Sequence, residues 1–393
     1  MKINPIKIEG PLHPHQKEYL GLLRFLSRSY GFKDPLWFEK DASQFFSRET
    51  DSLKNKWVLK INGQFAAHVG LFPFTASIEG RKLAVAGIGA VATHPDHRGQ
   101  GLMKRLMDSV SREICAKDYP LSILWGDRGL YEQYGYAQAM FLDQFTFQKR
   151  ILKNYAAPRK IRPAIPSDLS SIFRIYSFHP FHTVRNIRST HAILKKFKNK
   201  DLEPAWVLEE KGKVAAYSVF CRSKTGGSEI AEWGGASEDV VRLWADLLNR
   251  NSESELSVSL YPGSDLYGWA LENNSHQTRM TQSCMIKILD LFKVLKTFEP
   301  QLQRNYRSMG SRTRKILTIR LEDGQAVSLV LGTDLKVASR VGGRPITLSH
   351  SDAVRLFFGA GKPRREIACL ANDTGILDVL FPLTWYWWRT DWI

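Results

Sequence analysis

Long apolar runs are missing from this chain of 393 residues. None approaches the ~20 consecutive apolar residues that a membrane-spanning helix needs, and the first ten positions lack the apolar core of a secretory signal. No membrane span is expected, and the cytoplasm is the default compartment. Cysteine is scarce too. Cys115, Cys221, Cys284 and Cys369 are far apart and form no CxxC, so they read as reduced packing residues rather than a disulfide framework or zinc knuckle. The chain also lacks a GxSxG elbow and a GxxxxGK phosphate loop ending in Ser or Thr. The nearest approach to a dinucleotide fingerprint, GIGAVA at 87–92, lies inside a strand-like run instead of after one. Hydrolase, NTPase and dinucleotide chemistries are thereby disfavoured. The close pairs His13 with His15 and His179 with His182 have no third ligand at zinc spacing, and no metal is expected.

Acidic residues are outnumbered, 39 against 56 Lys and Arg, for a formal charge of +17. Such a balance concentrates polyanions, a nucleotide cofactor included. The basic stretches at 195–200 and 304–315 are scattered and accompany no nucleic-acid motif, so no specific nucleic-acid partner is expected. A homo-oligomer is compatible with the sequence, which carries no signal for or against it.

The 43% hydrophobic and 24% charged residues are those of an ordinary globular chain, and the length exceeds what one core usually serves. Three textures divide it. From Pro11 to Arg150 the pattern predicts a helix over 19–30, strands over 56–61 and 65–78 joined by Asn62-Gly63, a strand over 83–93, and a helix over 102–116. From Ile161 the order of strand, turn, strand, strand and helix recurs over 206–249, after a helix that Ser167 and Asp168 can cap, and suggests a degenerate duplicate without a glycine loop. The third segment predicts a helix over 286–295, strands over 315–321 and 326–331, a helix over 349–358, and a tail, LFPLTWYWWRTDWI, holding Trp385, Trp387, Trp388 and Trp392. So apolar an end is expected to dock rather than fray.

The chemistry concentrates in AGIGAVATHPDHRGQGLMKRLM, positions 86–107. An apolar strand ends at Thr93, a turn follows, and Arg98, Gly99, Gln100 and Gly101 open an amphipathic helix. The first N–H groups of a helix lack internal partners and sit at the positive end of its dipole. Glycine at 99 and 101 lets a pyrophosphate approach them, and His97 and Arg98 add donors.

Taken together, these residues resemble motif A of the GNAT acetyltransferase superfamily, in which Arg or Gln precedes Gly and then Gly or Ala between a strand and a helix. Met103 departs from the pattern by standing where Gly or Ala is usual; the amides of 98–102, Leu102 included, remain available. Carried over, the resemblance implies that Val91, Ala92 and Thr93 pair with the pantetheine arm of acetyl-CoA, the cosubstrate. Downstream, SILWGDRGLYEQYGYAQA resembles the superfamily's later strand and tyrosine segment, which implies that Tyr131 protonates the departing thiolate. Tyr134 and Tyr136 read as packing residues.

Over nearly its whole length the chain resembles the enhanced-intracellular-survival branch of that superfamily. The resemblance implies an α/β (α+β) chain with a catalytic GNAT domain over 1–155, built as a mixed sheet with flanking helices. A degenerate GNAT-like domain over 156–288 follows, then a sterol-carrier-like α+β domain over 289–393 whose tail docks near the active site. It further implies that the C-terminal carboxylate, here on Ile393, is the general base, with Asp391 as the alternative. Trp37, Trp125 and Asp127 are candidates to line a pocket for a small-molecule or peptide amine. Two other readings stand beside transfer of an acetyl group to a primary amine: a non-catalytic acyl-CoA sensor or scaffold, and transfer of a longer acyl chain.

Overall fold

The computed structural model describes residues 7–48, 50–155, 160–196, 205–222, 227–250, 254–281, 284–310, 314–340, 342–370 and 375–392. The chain opens with β1 (Ile8–Leu12), α1 (Tyr19–Ser29), α2 (Trp37–Asp41), β2 (Lys56–Ile61), β3 (Gln64–Ile78), β4 (Arg81–Thr93), α3 (Leu102–Ala116), β5 (Leu121–Trp125), α4 (Arg128–Tyr131) and β6 (Ala137–Gln138). Then come β7 (Phe141–Gln148), α5 (Lys149–Leu152), β8 (Lys160–Pro163), α6 (Leu169–Ser177), β9 (Phe181–Thr183), α7 (Ile187–Lys196), β10 (Trp206–Glu210), β11 (Lys213–Arg222), β12 (Ser228–Gly235), α8 (Ser237–Arg250), β13 (Glu255–Leu260), α9 (Asp265–Asn273), β14 (His276–Thr281) and β15 (Cys284–Ile288). The last part holds α10 (Leu291–Thr297), α11 (Glu299–Ser308), β16 (Lys315–Leu321), β17 (Ala326–Leu331), β18 (Leu335–Ala338), β19 (Pro345–Leu348) and α12 (His350–Phe358).

Local chemistry explains the hairpins. Asn62-Gly63, Glu79-Gly80 and Lys211-Gly212 all take positive φ, the backbone that a two-residue turn needs to follow the twist of its strands. They join β2 to β3, β3 to β4, and β10 to β11. Helix α3 turns Leu102, Leu106, Met107, Val110 and Ile114 to one buried face.

The first sheet runs β1-β2-β3-β4-β5-β15-β6, with β9 added to β3; the second runs β14-β7-β13-β12-β11-β10-β8; the third runs β18-β17-β16-β19. Three strands cross over between the first and second sheets, β9 through its pairing with β3. β7 pairs in the second sheet with β13 and β14, whereas β15 returns to the first between β5 and β6. Residues 141–148 therefore precede the boundary drawn at 155 yet lie in the second sheet, and residues 284–288 precede the one at 288 yet lie in the first. One continuous core extends from Ala76 and Val85 through the second sheet to Trp388.

Two expectations need correction. Residues 284–288 are a strand, not the start of a helix: Cys284, Met285, Ile286 and Ile288 are all buried between two paired neighbours, and the helix begins only at Leu291, where Asp290 caps the Lys293 N–H at 2.8 Å. Cys115 and Cys369 are exposed rather than packed, while Cys221 and Cys284 are buried.

Candidate active site

The site begins where two parallel strands part. β4 and β5 pair from Val85↔Leu121 to Ile88↔Leu124, after which β4 runs on to Thr93 with no strand on that side among the described residues. On the other side, pairing with β3 shifts register between His68↔Ala92 and Gly70↔Gly89, and Ala90 takes φ 50°. This is a bulge, which bends the strand and re-aims its carbonyls. The fully buried His68 stabilises it by donating its Nδ1 proton to the Ala90 carbonyl at 2.6 Å; burial lowers the pKa of His68 to about 3 and keeps the ring neutral. From α1, the Tyr30 hydroxyl donates to the Val91 carbonyl at 3.0 Å, and burial of that end of the side chain pushes the phenol up to about 12.

Beyond Thr93 the chain turns through Pro95, Asp96 and His97 and reaches the glycines. Gly99 and Gly101 have φ 74° and 72°, a region other residues enter only with strain, and a β-carbon on either would meet nothing within 4 Å. The space over the loop is open. Gly101 caps α3 without a side-chain hydrogen bond, and the first turn of α3 has no acidic residue. Arg98 is exposed and has no carboxylate partner among the described residues. Gln100 reaches only the Asp96 carbonyl, at 3.5 Å. Leu102 is buried, and Met103 and Val91, both partly buried, pack against the apolar cluster to which Leu102 belongs. The Arg98 N–H, expected to be available, instead donates to the Pro95 carbonyl at 3.3 Å; the loop offers the amides that follow it, a dipole and a guanidinium to an anion at the open end of the cleft.

Tyr131 stands at the cleft's other wall. Asp127 caps α4 by accepting the Gly129 N–H at 2.8 Å, and the turn carries the Tyr131 ring over the end of β5. A β-carbon on Gly126 would fall 2.3 Å from the ring, so only glycine permits this approach. Burial, then the neighbouring Tyr30 and Tyr134, push the Tyr131 phenol well above its ordinary range, and its hydroxyl makes no hydrogen bond among the described residues. Tyr136, by contrast, is fully committed, its hydroxyl 2.6 Å from Ser122 Oγ in the core.

The three pocket candidates fare differently. Trp125, at the end of β5, meets the tail: its ring lies 5.5 Å from Trp387 and 6.1 Å from Trp392. Trp37 belongs to a separate aromatic group on the α1–α2 side, stacked 4.0 Å from Phe32. Asp127 is exposed and uses one carboxylate oxygen as a helix cap. No ring contact joins Trp37 to Trp125 among the described residues.

Nearly every residue of the tail is anchored. Tyr386 donates to the Ser259 carbonyl at 2.8 Å, Trp387 packs 4.6 Å from Phe74, and Trp388 donates to the Phe181 carbonyl at 3.0 Å. Arg389 pairs with Glu229 and Thr390 bonds Glu232. Asp391 is engaged on both oxygens: Arg185 Nε donates to one at 2.9 Å and the Tyr176 hydroxyl to the other at 2.7 Å. Arg185 also reaches Glu232 at 2.7 Å and Thr390 at 2.8 Å, and lies 3.7 Å over the Tyr176 ring. Burial, opposed by the Arg185 charge, holds the Asp391 carboxyl above its usual range. Ile393 lies outside the described residues.

Tyr30 and His68 join the site although sequence reasoning gave them no role there, while Trp387 and Trp392 enter it as part of the tail that was expected to dock. His68 alone had a local signal, a histidine within the apolar run FAAHVGLF.

Comparison with known proteins bears on the fold around this cleft. Residues 13–139 match the family described as acetyltransferase (GNAT) domain. The N-acetyltransferase Eis of Mycobacterium tuberculosis is 32% identical over 75 residues, which are 19% of this chain and 19% of the relative; the match thus spans about a fifth of that protein's length. A GCN5-related N-acetyltransferase from Anabaena variabilis superposes with TM-score 0.70 at 17% identity, covering 97% of this chain and 98% of that one. Eis1 from Mycobacterium abscessus superposes with TM-score 0.63 at 13% identity, covering 97% and 100%. The fold is the mixed α/β fold of these GNAT proteins, with further sheets beyond the matched domain. Among the described residues, no helix is long and apolar enough to cross a membrane.

Proposed function

We propose that this chain transfers an acetyl group from acetyl-CoA directly to a primary amine of a small molecule or peptide. The observation that carries the reading is the cleft where β4 and β5 part, with unpartnered donors of the glycine loop at one end and Tyr131 at the other. The residues fit the cofactor. Arg98 and the amides at the start of α3 would take the pyrophosphate, and the edge of β4 through Val91, Ala92 and Thr93, which pairs with no strand on that side among the described residues, would take the pantetheine amides, with the Val91 carbonyl shared with Tyr30.

When bound, acetyl-CoA supplies an activated thioester carbonyl. The chain's task is to orient that carbonyl against the amine and to move two protons. As the new C–N bond forms and the C–S bond breaks, Tyr131 gives its phenolic proton to the thiolate and regains one from solvent. A base takes the proton of the ammonium. We assign that base to the Ile393 carboxylate; the stacking of Trp392 on Trp125 supports this, and Asp391, held on both oxygens, serves as the anchor. A spectrophotometric assay of CoA release with polyamines, aminoglycosides and peptide amines tests the reading. Saturable CoA binding without release for any amine would instead favour a sensor.

Gly101→Glu is expected to abolish CoA binding by calorimetry while the fold persists, since the carboxylate would repel the pyrophosphate where nothing else fills the space. The second sheet should bind none. The helix after β12, α8, carries Glu238 and Asp239 in its first turn, so its own carboxylates occupy the dipole that α3 leaves open. Equilibrium dialysis is expected to give one CoA per chain, and two equivalent sites would reject this assignment.

A further inference from the structure

The second sheet contains a cleft of its own. β12 and β13 are parallel and pair only from Ser228↔Leu256 to Ile230↔Val258, while β12 continues to Gly235. Between their separated ends and the C-terminal end of α6 lies a cavity of about 300 Å³, whose walls include Phe178, His179, Trp233, Tyr261, Ser264 and Asp265. That is the lower end of the range for small-molecule pockets.

Its chemistry is selective. In a chain with 56 Lys and Arg, not one lines this cavity, and its single carboxylate, Asp265, has no ion pair among the described residues. The walls are aromatic. Phe178, one of the aromatic residues, is 81% exposed, so its ring is accessible to a ligand in the cavity. His179 adds no positive charge at neutral pH: its Nε2–H is committed to the Trp233 carbonyl at 2.7 Å, and burial lowers its pKa to about 4. Trp233 Nε1 and Ser264 Oγ, on two of the lining residues, are themselves buried and have no hydrogen-bond partner among the described residues.

We propose that this cleft binds an organic cation with an apolar body, an arylalkylamine, whose ring lies among Phe178, Trp233 and Tyr261 and whose ammonium faces Asp265. Aromatic faces attract cations, and Asp265, whose carboxylate sits in the first turn of α9 and offsets the dipole there, adds to them, whereas an anion would find no basic side chain. The site is distinct from the cleft between β4 and β5, since none of its lining residues belongs to that wall.

The test uses the full chain saturated with CoA and 2-phenylethylammonium as probe, followed by calorimetry. Saturable binding is expected, weakened ~10-fold or more in Phe178→Ser and in Asp265→Asn and unchanged in Trp125→Phe. The anionic analogue 3-phenylpropanoate is expected to bind at least ~10-fold more weakly than the amine. Retained CoA binding in each variant certifies the fold. No saturable binding, tighter binding of the anion, or loss of binding in Trp125→Phe with no change in the other two would each overturn the proposal.

Discussion

Tyr131→Phe is expected to lower kcat by ~100-fold or more while CoA affinity stays within a factor of about two. The substitution is unusually clean. The ring keeps its place over Gly126, and the hydroxyl has no hydrogen bond among the described residues, so its loss breaks no internal contact. Melting temperature should therefore hardly move, and what changes is the proton supply to the thiolate. A phenol raised by burial stays protonated through neutral and mildly alkaline pH, which keeps the donor loaded across the working range. Tyr30→Phe is the informative comparison, because its hydroxyl is already committed to the Val91 carbonyl and it should act on cleft shape rather than on proton transfer. A Tyr131→Phe enzyme that keeps most of its turnover returns Tyr131 to packing and leaves the thiolate to solvent.

What the sequence discloses of this site follows the range of the interactions involved. Helix α3 and strand β2 are legible to their end residues, because periodicity and turn chemistry are local: Leu102, Leu106, Val110 and Ile114 declare one face, and Asn62-Gly63 declares the turn. The stretch 284–288 misleads for the opposite reason. Its apolar residues run into those of α10 and mimic a helical spacing, and the partners that make it a strand, β5 and β6, lie far upstream. The glycine loop is legible because its function needs backbone of a particular sign at two positions. The bulge at Ala90 is not, since it depends on a buried histidine on the neighbouring strand, 22 residues upstream. In the tail, four tryptophans announce docking, but no local pattern links Arg185 and Glu232 to Asp391, roughly two hundred residues on. Only folding brings the three charges together.

Arg185→Met is expected to reduce both stability and turnover, and the two effects can be separated. Removing the guanidinium leaves Glu232 and Asp391 buried without a cation, a loss of about 3–5 kcal/mol by the usual cost of breaking a buried pair. Thr390 and the Tyr176 ring lose the same partner, so the tail loses its hold two residues before its end. If the tail supplies the base, kcat should fall by ~10-fold or more with CoA affinity unchanged, because the glycine loop lies on another part of the chain. Neutralising the whole cluster, Arg185→Met with Glu232→Gln and Asp391→Asn, removes the stranded charges and is expected to recover most of the melting temperature. It should not recover kcat, since the Arg185 bonds to positions 390 and 391 remain absent, only Tyr176 is left to hold residue 391, and Trp392 is freer to leave Trp125. A short Gly-Ser extension after Ile393 should reproduce the kinetic loss without the loss of stability. Should the neutral triple variant and the extended chain both keep full turnover across pH, the tail only fills space, and the base belongs to the first domain.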